Sequence, residues 1–157
     1  MFSIGSKIVH PMHGAGVILE IEEKKILGEV RRYYILKLPC NDMSVMLPVD
    51  SDKPIGIRDI VDEPTARKAL ELLKEESTDM DRNWNRRYRE NMEKLKTGDI
   101  LLVAEVVRNL TRAGRGKSLS AGETKMLSNA KQILASEIIL SCDLSKEEVE
   151  KLIEDAI

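Results

Sequence analysis

Pro54-Ile-Gly-Ile-Arg-Asp-Ile-Val-Asp62, followed by Glu63-Pro-Thr-Ala-Arg-Lys-Ala-Leu-Glu-Leu-Leu73, is where this 157-residue chain changes its period. Downstream, Pro64 suits the first turn of a helix, and Ala66, Ala69, Leu70 and Leu73 recur at the spacing of one helix face. Upstream, residues 7–10, 15–21, 32–38 and 43–49 are short runs rich in β-branched and aromatic types. Pro11 and Gly14, Gly28, and Asn41-Asp42 punctuate them as turns. The spacing predicts an α+β protein of two small domains. The first, residues 1–58, is an antiparallel Tudor-like or SH3-like β-barrel; the second, residues 59–157, is an all-α bundle of about five helices.

Four helices are expected after the one that starts near Pro64. The second runs to about Lys96 and stops at Gly98. The third takes its cap from Thr97 or Asp99, turns Ile100, Val103, Ala104, Val107 and Leu110 inward, and ends at Gly114. Ser120-Ala-Gly-Glu123 and Ser145-Lys-Glu-Glu148 read as capping boxes that open the fourth and fifth. Behind them, Met126, Leu127, Ala130, Ile133 and Leu134, then Val149, Leu152, Ile153 and Ala156, form apolar stripes.

With 42% apolar and 33% charged residues the composition is that of a globular chain. No apolar run approaches the roughly 20 residues of a spanning helix, and the N-terminus lacks the basic and apolar regions of a signal peptide, so a cytoplasmic location is expected. Cys40 and Cys142 stand alone, without CxxC or Cys/His pairing, and read as small hydrophobes. The net charge of −2 hides an uneven distribution. From Arg82 to Lys117 there are ten basic against four acidic residues, and from Asp143 to Ile157 two against six. A basic middle fits a polyanion, and it equally fits solvated helix faces.

Few motifs point to chemistry. Gly116-Lys117-Ser118 resembles the tail of a phosphate-binding loop, but the position of that loop's first glycine is Thr111, inside an expected helix. His10 and His13 have a spacing a metal could use, with no evident third ligand, so a turn with a partly buried histidine is the simpler reading. Neither a general base nor a cofactor motif is evident, and no catalytic, metal or cofactor residues are assigned. The segment Arg82-Asn-Trp-Asn-Arg-Arg-Tyr-Arg89 differs in kind, because it surrounds the only tryptophan with arginines. Two readings of Trp84 are open. It can share a buried helix face with Tyr88, Met92 and Leu95. Alternatively, Asn85 caps the helix and Trp84 precedes it; position N4 is then Arg89, so no hydrophobic staple holds the indole, which stands free as a minor-groove wedge flanked by cations.

These residues also resemble a known family. Met1-Phe-Ser-Ile-Gly-Ser-Lys-Ile-Val-His-Pro-Met-His-Gly-Ala-Gly16 is similar to the opening of CarD/CdnL-type bacterial transcription factors, and Asn83-Trp-Asn-Arg-Arg-Tyr88 to their DNA-binding signature. Gly98-Asp99, Ala104 to Leu110 and Leu119 to Leu127 match the helical core in order and spacing. Transcription-repair coupling factors carry a similar N-terminal module, but the Trp-Asn-Arg-Arg-Tyr block and the helices set this chain apart from them.

The resemblance implies that the Tudor-like domain docks on the lobe of the RNA polymerase β subunit, chiefly by an exposed strand edge. Matching positions are Lys24 and Ile26 on one strand and Met46 and Pro48 on another, Met46 standing where some relatives are basic. It also implies that the helical domain meets promoter DNA at the upstream edge of the bubble, through the minor groove and phosphates. There Trp84 is the wedge, with Arg82, Arg86, Arg87 and Arg89 beside it. Where relatives often carry two basic residues, this chain has Thr124 and Lys125, and Lys117 is a substitute cation from the neighbouring loop. The expected function is non-enzymatic: a monomer that stabilises the open complex with little sequence preference. Its rivals are an adaptor whose basic helical domain binds RNA or an acidic protein, and a small enzyme built on the Gly116-Lys117-Ser118 loop.

Overall fold

The computed structural model describes residues 2–39, 43–49, 57–116 and 118–157; Cys40, the Asn41-Asp42 turn and Lys117 lie outside them. Strands β1 (Lys7–His10), β2 (Gly14–Ile26), β3 (Glu29–Lys37), β4 (Ser44–Pro48) and β5 (Arg58–Asp59) form one antiparallel sheet in the order β4-β3-β2-β1-β5. Helices α1 (Glu63–Leu72), α2 (Trp84–Lys96), α3 (Ile100–Gly116), α4 (Ala121–Cys142) and α5 (Lys146–Ala156) follow. The two-part α+β architecture is therefore the one expected, with differences in detail.

Alternation sorts the strand residues. Ile8, Ile18, Tyr34, Leu36 and Leu47 make the core of the sheet, and the Cβ that Gly16 lacks would collide with the Leu36 side chain at 2.7 Å. Val9 and Ala15, opposite one another in the β1–β2 ladder, are also fully buried, on the face turned to the helices. The hairpin of β2 and β3 is longer than its apolar pattern predicts, because Glu22 to Ile26 continue the ladder opposite Glu29 to Tyr33. Leu27 and Gly28 close it as a two-residue turn with both φ values positive, +52° and +83°. Strand β5 was not expected either; it pairs Asp59 and Arg58 with Ile8 and Val9 of β1.

The helical core gathers Ala66, Ala69, Leu70 and Leu73 of the first helix and its end with Ile100, Val103, Ala104, Val107 and Leu110 of α3. Met126, Ala130, Ile133, Leu134, Val149 and Ile153 complete it from α4 and α5, whereas Leu152 is exposed. Helix α3 runs two residues past its expected end, to Gly116, and Asp99 caps it by accepting a hydrogen bond from the Leu101 amide at 2.8 Å.

Sheet and bundle are bolted together. Glu137 on α4, 2% exposed, receives two parallel bonds from the Arg58 guanidinium at 2.6 and 2.8 Å and one from the Val61 amide at 2.9 Å. Arg58 also donates to the Gly98 carbonyl, and the Ala15 amide donates to Ser136 Oγ at 2.8 Å. Gly14, at φ +90°, lies so close to α4 that an added Cβ would stand 2.7 Å from Ser136 Oγ.

Candidate nucleic-acid interface

The turn that begins α2 is built from its approach. Arg108 donates to the Leu72 carbonyl, Arg112 to the Leu73 carbonyl, and Asn109 to Thr78 Oγ1, so side chains of α3 hold the segment leading to Trp84. Asn83 is the N-cap: its side chain accepts from the Asn85 and Arg86 amides at 3.0 and 3.3 Å, and its own amide donates to Asp81. This corrects the cap from Asn85 to Asn83. Trp84 is the first residue of the helix and is 57% exposed, so the buried-anchor reading fails. By helical spacing Trp84 stands at the start of the face that buries Asn91 and Leu95 and half-buries Tyr88 and Met92.

The arginines around it divide. Arg82, Arg86 and Arg89 are exposed. Arg86 reaches Asp81 only at 4.0 Å, and Arg82 and Arg89 make no ion pair among the described residues. Arg87 is different. Its Nε and Nη2 donate to both carboxylate oxygens of Glu123 at 2.7 and 2.8 Å, and Glu123 is 1% exposed. The bond from Arg87 holds the Glu123 carboxyl below its usual range, and the bond to Glu123 raises the Arg87 guanidinium. A phosphate contact was expected of Arg87; in the structure its guanidinium pairs with Glu123 of α4.

Lys125 is exposed on α4 and lines an open groove with Tyr88 and Met92 of α2 and Met12 of the β1–β2 turn. Lys117 lies outside the described residues. Thr111 to Gly116 are helical and follow no strand, unlike the cradle of a phosphate-binding loop. The His10 and His13 rings meet at a tilt of 41° with centroids 4.6 Å apart; burial and then His13 lower the His10 pKa, and its Nδ1 accepts from the Met12 amide.

The other four expected residues share one face of the sheet. Lys24, Ile26, Met46 and Pro48 alternate with the core residues and lie on the opposite face, with Lys24 Nζ 3.5 Å from Met46 Sδ. β4 is an edge strand. Lys24 and Ile26 sit opposite Arg31 and Glu29. Tyr33 and Ile35 of β3 share their face, opposite Pro48 and Met46, and Leu27 at the hairpin tip is wholly exposed. Sequence reasoning passed over these three, although the period-two register could have found Tyr33 and Ile35.

Comparison with known proteins agrees at both ends. Residues 2–61 match the family described as CarD-like/TRCF RID domain, and residues 68–154 match CarD, C-terminal domain. The chain belongs to the CarD family. "Putative transcription factor YdeB" of Bacillus subtilis (strain 168) is 41% identical over 138 residues, which cover 88% of this chain and 90% of that one. As a CarD-type protein the chain is a transcription regulator, and its N-terminal domain type points to interaction with RNA polymerase in general. Among the described residues no helix is long and apolar enough to cross a membrane.

Proposed function

We propose that this CarD-family protein is a non-enzymatic regulator of transcription initiation. It holds the β lobe of RNA polymerase with its sheet and the upstream edge of the promoter bubble with α2 and α4, and so stabilises the open complex. The single observation that carries the reading is Trp84, exposed at the start of a capped helix beside Arg82, Arg86 and Arg89.

The magnitudes favour a bubble edge over intact duplex. Burying the exposed part of an indole returns roughly 2–3 kcal/mol, while opening a stacked step costs a few kcal/mol. Insertion therefore breaks even on duplex and gains where the step is already opening. Arg82, Arg86 and Arg89, with Lys125 from α4, supply the phosphate contacts, which carry little sequence information. The first turn of α2 has no acidic residue of its own; Glu123 of α4 pairs with Arg87 there, which leaves Arg86 opposing the helix dipole. A phosphate near Arg86 relieves that opposition.

On the sheet, Lys24, Ile26, Met46 and Pro48 make the polymerase contact, extended by Tyr33, Ile35 and Leu27. Docking there converts weak DNA binding into an effectively intramolecular event, so the monomer works at promoters and associates with the nucleoid through polymerase. The division near residue 58 then separates a polymerase-binding part from a DNA-binding part. Promoter-fragment binding with and without polymerase tests this. Expected is binding that depends on polymerase and weakens at all promoters alike in Arg89→Ala; equal binding without polymerase contradicts the division of labour.

A further inference from the structure

The carboxylate that Arg87 grips has a second duty. Glu123 is the third residue of α4, and its Oε1 also accepts from Ser120 Oγ at 3.0 Å while its amide donates back to Ser120 Oγ at 3.2 Å. One buried side chain thus closes the capping box of α4 and neutralises the first turn of α2. The same two turns touch again one residue away on each helix. A Cβ on Gly122 would lie 3.4 Å from the Tyr88 ring, so the ring rests against the α4 backbone. Trp84 is three residues before Arg87, and Lys125 two residues after Glu123.

We propose that Arg87 is a positioning residue: its two-pronged bond to Glu123 fixes the first turn of α2 against the first turn of α4, so that Trp84 and Lys125 meet DNA as one surface. The inference rests on the DNA-binding reading above. A fork of two N–H bonds fixes orientation as well as distance, which a lysine ammonium cannot do. Arg87 and Arg89 therefore act differently although both flank the indole: one shapes the surface, the other pairs with phosphate.

The experiment uses the full chain and its Arg87→Lys, Arg87→Ala, Glu123→Gln and Arg89→Ala variants. Acrylamide quenching of Trp84, the only tryptophan, reads the turn in the free protein. The salt dependence of promoter binding with polymerase reads phosphate contacts. Arg87→Lys keeps the charge and is expected to raise quenching and weaken promoter binding at least about threefold, with the salt slope unchanged. Glu123→Gln keeps a capping side chain and is expected to do the same. Arg89→Ala is expected to lower the slope by about 1 and leave quenching alone. The proposal is overturned if Arg87→Lys leaves Trp84 quenching at the wild-type level, whatever Arg87→Ala does to the slope, or if Glu123→Gln strengthens binding by releasing Arg87. Should wild type fail to bind promoter with polymerase, the DNA reading falls; unchanged Trp84 quenching in Arg87→Lys still sinks the clamp separately.

Discussion

Folding lowers the pKa of two carboxyls around α2, Glu123 and Glu105. The hydrogen bond from Arg87 lowers Glu123, while for Glu105 burial acts upward and is outweighed by bonds from Lys94 and Thr78. Both titrate lower folded than unfolded, so their contribution is complete above the ordinary value of 4.5 and is lost as pH falls below it through the folded values. Thermal melting is expected to be insensitive to these groups from pH 7 to about 5 and to drop at lower pH. In Glu123→Gln that acid-side drop is shallower; an identical pH profile contradicts the assignment. The exposure of Trp84 was only half legible in sequence: the residues left a buried and an exposed reading open, and the missing apolar clasp was argued from a cap at Asn85 that the structure places at Asn83. The cap was misplaced by two residues because Asn83 and Asn85 offer the same chemistry. The Arg87–Glu123 pair was not legible: its members lie 36 residues apart, and Glu123 already had a sufficient local explanation as a capping residue.

Among the elements, the β2–β3 hairpin exceeds what its pattern announces. Glu22-Glu-Lys-Lys25 has no apolar alternation, and the strand persists there through cross-strand partners such as Glu23 and Arg32 at 3.2 Å. At its tip Leu27 adopts a left-handed conformation that costs an ordinary residue roughly 1–2 kcal/mol, and being wholly exposed it recovers nothing by burial. Leu27→Asn is expected to stabilise the isolated protein by about 0.5–1 kcal/mol, measured as a higher urea midpoint at constant slope. If Leu27 is part of the polymerase contact, the same variant binds polymerase more weakly. A lower midpoint contradicts the account of the turn. Helices were easier to read, since α1, α4 and α5 declare themselves by Pro64, Ser120 and Ser145 and by stripes three to four residues apart. Strand β5 escaped notice because two residues are too few to show a period.

For the whole molecule, the decisive feature is the joint between sheet and bundle. Tethering strengthens DNA binding only if docking the sheet places Trp84 where the bubble edge is, and a loose joint dilutes that advantage. Arg58 to Glu137 and Ala15 to Ser136 join groups 79 and 121 residues apart, so no sequence pattern exposes the joint, although both parts it connects were readable. Arg58→Ala leaves Glu137 buried without its counter-ion and is expected to cost about 3 kcal/mol in urea unfolding. A loss under 1 kcal/mol contradicts the joint as described. The central claim is tested most directly by the lifetime of a promoter open complex formed by cognate bacterial RNA polymerase, measured alone, with this protein, and with Trp84→Ala. A differential affinity of 1–3 kcal/mol for the open state corresponds to roughly 5- to 150-fold stabilisation. The account predicts a longer lifetime that Trp84→Ala loses while still binding polymerase. An equal lifetime in all three, with folded protein bound to polymerase, contradicts it.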